Sequence, residues 1–374
     1  MTGRILILSF VEWSGAFQRP QHLAVGLARR GWEVTYASPG YLHRRGRGAA
    51  PGVDLPPSLR ILSPAAVPGG SRLRIAAEVN RRLMAAALNR ESPQGWETII
   101  FNDPRWAGVA AALPARMRVF DCMDDLTAQA PSAEWARARE DEALRVADRI
   151  WTGTASLEAR LRDQAAERGK PIRFVPCGVD ADHFASPDAR RVAALRPMLP
   201  PGAGPLAGYF GALNERVRGE LVEALLAGGA RALLIGPTTS RAPAIVKQAG
   251  RHPGLRWTGP RPYAELPAWL ALFDFAIIPY DTGGPHRFLY PVKALEYLAG
   301  GKPVLSTPLP DVLRFLGDYV EIGSTAEDWR AAPGRIRAET ESIRKKTERG
   351  RDYARSRSWE AMVEEMLADL TRDQ

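Results

Sequence analysis

Short apolar runs of strand length recur along almost the whole chain, and nearly every one is followed by a stretch with helical spacing. In the first half the runs read RILILS, EVTYA, TIIF, RVFD, RIWT and IRFVP, with helical stretches near 20–30, 72–90, 105–113, 133–147 and 155–168. Strands that are apolar throughout need cover on both faces. Helices between them supply it, so the pattern predicts a parallel sheet between helical layers. Pro20 suits the first turn of the first helix and Gly31 its stop. From about 185 to 205 the alternation lapses into ASPDARRVAALRPMLPPGAGP, which reads as a connection. It resumes as LAGYFG, ARALLIG, LRWTG, DFAIIPY and KPVLST, with helical stretches near 219–228, 240–250, 264–272 and 291–300. Two such sheets place ligands at the carboxyl ends of their strands, in a cleft between the halves.

The 374 residues are 45% hydrophobic and 25% charged, enough apolar material for two cores. Two cysteines, Cys122 and Cys177, exclude a disulfide framework and show no zinc spacing, which fits a reducing cytoplasm. No signal-peptide pattern and no run approaching ~20 apolar residues occurs. The formal charge of +9 suits nucleic acid, an anionic membrane surface or a phosphorylated substrate. No nucleic-acid module is present. The helical stretch 71–90 collects Arg72, Arg74, Arg81, Arg82 and Arg90 beside Leu73, Val79, Leu83, Met84 and Leu88. A solvated Arg-rich face is the favoured reading there, and peripheral membrane contact the other. The absence of Gly-x-Gly-x-x-Gly after the first strand and of a Walker A string disfavours a dinucleotide dehydrogenase or a P-loop NTPase.

The most specific stretch is HRFLYPVKALEYLAGGKPVLST, residues 286–307. Pro291 opens a helix there and Gly300-Gly301 closes it. Lys293 and Glu296, three apart, share one face near the helix start. A helix N-terminus with a lysine beside it suits a diphosphate. A glutamate one turn on can accept both hydrogens of a ribose diol. The plainer alternative is a surface ion pair of little consequence. In the first half, Arg19 of Gln18-Arg19-Pro20 sits at the start of the first helix, where the dipole disfavours a cation, so a ligand-facing role is favoured over an arginine that only caps or solvates the helix start. Asp121, Asp124 and Asp125 follow a strand. They could bind a metal, supply a general base, or serve turns and caps.

Residues 293–304 resemble the nucleotide-binding motif of glycosyltransferase family 4 and its GT-B relatives, Lys-x-x-Glu-x-x-Ala-x-Gly-x-Pro-Val. FVEWSGAFQRPQHLAVGLARRGWEVTYASP and RVFDCMDD resemble a bacterial subgroup with Gln-Arg-Pro-x-His and Asp-Cys-Met-Asp-Asp motifs. FVPCGVDADHF, GYFGALNE, LLIGP, LRWTGPRPYAELPAWLALFDFAIIPY and SWEAMV follow in the family's order.

The resemblance implies a GT-B α/β fold of two Rossmann-like parallel-sheet domains facing a cleft. These would be an acceptor-side domain over 1–188, a nucleotide-sugar domain over 203–350, and a terminal helix over 351–374 that crosses back to the first. It implies transfer of a sugar from a nucleoside-diphosphate donor, a UDP-sugar foremost, to a hydroxyl acceptor that is a glycan, lipid-linked or small. The transfer would be retaining, with no cofactor and no metal. Glu296 would hold the ribose. Val292, Gly236, Arg216 and Arg287 would line the nucleotide, and Arg261 would either stack on the base or be a solvated loop arginine. Lys293, Arg19 and Asp124 are the expected catalytic residues, Asp124 on the acceptor side. Trp13 and Trp106 are expected near the cleft. Three positions depart from the family pattern. Phe288 stands where a sugar-contacting Glu is usual, and Ala212 and Val217 where Arg and Lys are usual. Phosphate charge must then come from Arg216, Arg218, His286, Arg287, Lys293 and Arg19. Inverting transfer with Asp124 or Asp125 as base, a GT-B-fold epimerase and a non-catalytic nucleotide-binding relative remain open.

Overall fold

A computed structural model describes residues 3–13, 17–41, 55–67, 74–126, 132–290, 292–338 and 341–372. The chain forms two compact units, Met1–Cys177 with Met362–Gln374, and Gly178–Ala361.

The strands of the first unit are β1 (Arg4–Leu8), β2 (Glu33–Ala37), β3 (Gly40–Tyr41), β4 (Leu59–Leu62), β5 (Ala65–Ala66), β6 (Trp96–Phe101), β7 (Ala115–Cys122), β8 (Arg149–Thr152) and β9 (Ile172–Phe174). Seven form one parallel sheet in the order β4-β2-β1-β6-β7-β8-β9, while β3 and β5 pair separately. Burial of Ile5, Leu6, Ile7, Ile99, Ile100, Phe101, Val119 and Phe120 shows why the central runs are apolar throughout. Helices α1 (Arg19–Arg29), α2 (Arg74–Glu91), α3 (Ala107–Ala112), α4 (Ala133–Val146) and α5 (Ala155–Glu167) connect them.

The second unit carries β10 (Leu206–Phe210), β11 (Arg231–Ile235), β12 (Leu255–Trp257), β13 (Phe275–Ile278), β14 (Val304–Ser306) and β15 (Glu321–Ile322), parallel in the order β12-β11-β10-β13-β14-β15. Its helices are α6 (Ala181–Ala185), α7 (Ala189–Leu195), α8 (Gly219–Ala227), α9 (Ala244–Gln248), α10 (Leu266–Ala271), α11 (Val292–Ala299), α12 (Pro310–Phe315), α13 (Ala326–Arg337) and α14 (Glu341–Ser356). Two α/β parallel sheets are thus present, as the alternation predicted. The stretch read as a bare connection holds α7, which Asp188 caps by accepting from the Arg190 N–H.

The last helix, α15 (Trp359–Leu370), begins in the second unit, and from Met362 it belongs to the first. There Met362, Val363, Met366 and Leu370 are buried. Asp369 accepts from the Trp151 indole at 2.7 Å and pairs with Arg149 at 2.9 Å and Arg173 at 3.4 Å. Burial alone would raise its pKa, but the Trp151 and Arg149 bonds outweigh that and hold the carboxyl below the usual carboxylate range.

Candidate functional site

In the second unit, β10 and β11 are followed directly by Gly211 and Gly236, with φ +146° and +143°. The Gly211 N–H donates to Ile235 (2.8 Å) and the Gly236 N–H to Gly259 (2.9 Å), so the strand ends are drawn tightly together. A Cβ at Gly236 would overlap the Gly211 carbonyl, and one at Gly211 would overlap Cε of Lys293. Only glycine meets both demands, and it lets the lysine stem lie across the end of the sheet. Gly236→Ala is expected to lower stability by about 1–3 kcal/mol, because it adds backbone strain to the overlap. Urea unfolding measures this; a loss indistinguishable from zero would show that the strand ends can part.

Helix α11 buries Ala294, Leu295, Tyr297, Leu298 and Ala299. That face fixes the helix against the sheet and turns Val292, Lys293 and Glu296 toward the partly accessible side. Pro291, expected to open the helix, lies outside the described residues. Among the described residues, neither Lys293 nor Glu296 is within ion-pair distance of an opposite charge, so the surface ion pair does not form. Burial pushes the Glu296 carboxyl up to about 7, with Lys293 pulling the other way. Tyr263 lies close enough for the Glu296 charge to help burial raise its phenol. The Tyr263 ring stacks on His183 at 4.6 Å.

Arg216 follows the strand end of Gly211. Its Nε donates to Asn214 Oδ1 (2.9 Å), its guanidinium sits 5.8 Å from the Tyr280 ring, and no acid pairs with it among the described residues. The Arg216 carbonyl accepts from the Asp281 N–H (2.7 Å), and Asp281 Oδ2 is 3.0 Å from His286 Nδ1. Burial would raise the Asp281 pKa, but the bonds from His286 and the Gly283 N–H lower it overall. Tyr280 hydroxyl is 3.2 Å from Tyr209 hydroxyl, which donates to the Ala212 carbonyl. A continuous run of contacts therefore links Lys293, Gly211, Tyr209, Tyr280, Arg216, Asp281 and His286. Arg218 is engaged by Glu220 at 2.7 Å. Arg287 is exposed, 4.6 Å over Phe288, whose ring is buried.

The Arg261 guanidinium lies 5.5 Å from the buried Trp269 ring and donates to the Thr258 carbonyl. An aromatic that the sequence reading passed over, Trp257, is 37% exposed at the end of β12, with its indole N–H on the Gly236 carbonyl at 2.9 Å. Its place at a strand end next to the glycine turn was the available signal.

In the first unit, Arg19 is 1% exposed. It makes a bidentate pair with Asp121 (2.9 and 2.7 Å), and Nη1 donates to the Val175 carbonyl at 2.6 Å. Burial favours loss of its charge, but Asp121 outweighs that and raises its pKa. Arg19 is therefore a structural clamp, and the expectation that it meets donor or acceptor does not hold. The helix-dipole mismatch is real, and a buried carboxylate from β7 resolves it. The three-carboxylate cluster separates accordingly. Asp121 is committed to Arg19, Asp125 lies 4.0 Å from Arg160, and Asp124 is exposed just past β7. Trp13 and Trp106 are core residues, 4% and 1% exposed.

The two parallel-sheet units match solved GT-B glycosyltransferase structures in fold. Sucrose-phosphate synthase from Thermosynechococcus elongatus superposes with a TM-score of 0.77 at 19% identity, over 99% of this chain and 98% of that one. Anabaena Alr3699/HepE in complex with UDP-glucose gives 0.75 at 14% identity, over 99% of both chains. Residues 209–335, which contain the residues described around Lys293 and Glu296 except His183, match the family described as Glycosyl transferases group 1. A curated relative, the putative teichuronic acid biosynthesis glycosyltransferase TuaH of Bacillus subtilis (strain 168), is 25% identical over 237 residues. The match covers 62% of this chain and 58% of that relative's length.

Proposed function

We propose that the protein transfers a sugar from a nucleoside diphosphate, uridine diphosphate foremost, to a hydroxyl of a glycan acceptor. The observation that carries this reading is the pair Lys293 and Glu296. Among the described residues they have no ion-pair partner, and they stand on the partly accessible face of α11, next to strand ends pinched by Gly211 and Gly236. The group 1 match over these residues supports it, as do the UDP-glucose named for the HepE structure and the polymer named for the Bacillus relative.

In this reading Glu296 accepts from the ribose diol, and Val292 and Gly236 line the nucleotide. Lys293 and Arg216 meet the diphosphate, and Arg287 and His286 bring further positive or hydrogen-bonding groups. As the bond from the anomeric carbon to the diphosphate oxygen breaks, the leaving group gains charge. Cations fixed beforehand stabilise it. The acceptor oxygen bonds to the anomeric carbon on the face from which the diphosphate leaves, and its proton passes to a diphosphate oxygen, so the configuration is retained. Asp124, the exposed carboxylate past β7, is the candidate base of an inverting alternative.

Titration calorimetry with UDP in the presence of a chelator tests the reading. Wild-type protein is expected to bind without metal. Glu296→Ala is expected to lose about 1.5–3 kcal/mol, roughly tenfold or more in affinity. Unchanged affinity in a folded variant would remove α11 from the site.

A further inference from the structure

Among the described residues, seven large apolar side chains are more than a third exposed, and four of them belong to one patch of the first unit. Ile75 (82%), Val79 (39%) and Leu83 (45%) are spaced four apart along α2 and so form one stripe. Val67 (42%) is tied beside them, its N–H donating to Asn80 Oδ1 at 2.6 Å and its carbonyl accepting from Asn80 Nδ2 at 2.8 Å. The other side of the same helix already serves the core, where Met84 is 5% exposed and Leu88 is fully buried. A helix that needs only one apolar face to hold its place thus shows a second to water.

The polar residues beside the stripe include the exposed Arg82 and Arg90. Helix α2 carries Arg74, Arg81, Arg82 and Arg90 against Glu78 and Glu91. Arg82 is 75% exposed in its side chain, and Glu78 is shared between Arg81 and Arg82. Arg90 is exposed at the last turn. The whole chain has a formal charge of +9. Among the described residues no helix is long and apolar enough to cross a membrane.

We propose that this face of α2 seats the protein on the surface of an anionic lipid bilayer. The aliphatic stripe enters the boundary between headgroups and acyl chains, and Arg82 and Arg90 beside it meet lipid phosphates. Charge complementarity selects this occupant. An apolar stripe alone would suit another protein equally, but guanidinium groups beside an aliphatic strip match a surface that is itself apolar beneath and anionic above. The inference does not depend on the transfer reaction, and its test reads no activity.

The test is sedimentation of the full chain with vesicles of phosphatidylcholine, with and without phosphatidylglycerol. Wild-type protein is expected to bind the anionic vesicles, and added salt is expected to weaken binding. The triple variant Ile75→Ser, Val79→Ser, Leu83→Ser keeps every charge and is expected to bind about tenfold more weakly or worse. Its thermal unfolding is expected to match wild type, because the three side chains are exposed. Val67→Ser, outside the helix, provides a second, milder probe and is expected to weaken binding in the same direction. Failure of the wild type to bind would overturn the proposal. Equal binding by the triple variant would do so too, since it would show attraction by net charge alone. A wild-type dimer in light scattering that becomes monomeric in the triple variant, with no vesicle binding by either, would assign the stripe to a second copy of the chain.

Discussion

Arg19→Ala is expected to destabilise the first unit by about 3–5 kcal/mol, because it leaves the Asp121 carboxylate buried without a partner. The two side chains are 0% and 1% exposed, so water cannot take over the lost bonds. The Val175 carbonyl also loses its donor. Arg19→Lys is expected to recover only part of the loss, since an ammonium cannot make the two-pronged contact. The double variant Arg19→Met, Asp121→Leu is expected to recover most of it, having no charge left to bury. Hydrogen exchange of amides in β1, β6 and β7 under native conditions reads the first unit separately from the second. A loss below about 1 kcal/mol in Arg19→Ala would contradict the clamp, and intact stability with lost turnover would return the residue to a ligand site.

The second large effect concerns Glu296. Its folded pKa of about 7 lies above the ordinary 4.5. Between these values the folded protein holds a proton that the unfolded chain has lost. Stability is therefore expected to fall as pH rises from about 4.5 to about 7, and to lose nothing further from this group above that. The full shift corresponds to at most about 3 kcal/mol, and the partial exposure of the side chain makes the realised slope smaller. Glu296→Gln removes this dependence. A ribose diol donating to the carboxylate favours its charged form, so UDP binding is expected to expel a proton below pH ~7 and to tighten as pH rises. The terminal phosphate of UDP ionises in the same range. The informative quantity is thus the difference between wild type and Glu296→Gln in binding heat across buffers of different ionisation enthalpy. Identical proton release from the two proteins would mean that the diol does not reach this carboxylate.

Much of this was legible in the chain itself, for identifiable reasons. Runs such as RILIL and RALLI are apolar at successive positions because both faces of a central parallel strand are covered, and that leaves a local signature. The same holds for α11, where the buried Ala294, Leu295, Tyr297 and Leu298 and the outward Lys293 and Glu296 follow from helical spacing alone. Short edge strands such as β4 and β15 leave too few residues for a pattern. Arg19 misled for a different reason. Its neighbours show a cation at an unfavourable helix start, but the carboxylate that satisfies it lies 102 residues away. Only the sheet order, which sets β7 beside β6 and β6 beside β1, brings the two together. Trp257 is a third kind: its place at a strand end was legible, but its exposure there is not something spacing reports.

The route of α15 has a consequence for the order in which the molecule is made. Met362, Val363, Met366 and Leu370 fill the first unit, and Asp369 ties together Arg149, Trp151 and Arg173, but all of these come after the whole second unit in the chain. During translation the stretch up to Cys177 emerges without them. It must wait, with an apolar flank uncovered and two arginines lacking their carboxylate, while 184 further residues, Gly178–Ala361, are added. The second unit, being one continuous stretch, has all its parts as soon as it leaves the ribosome. The half that is synthesised first is therefore the half that is finished last.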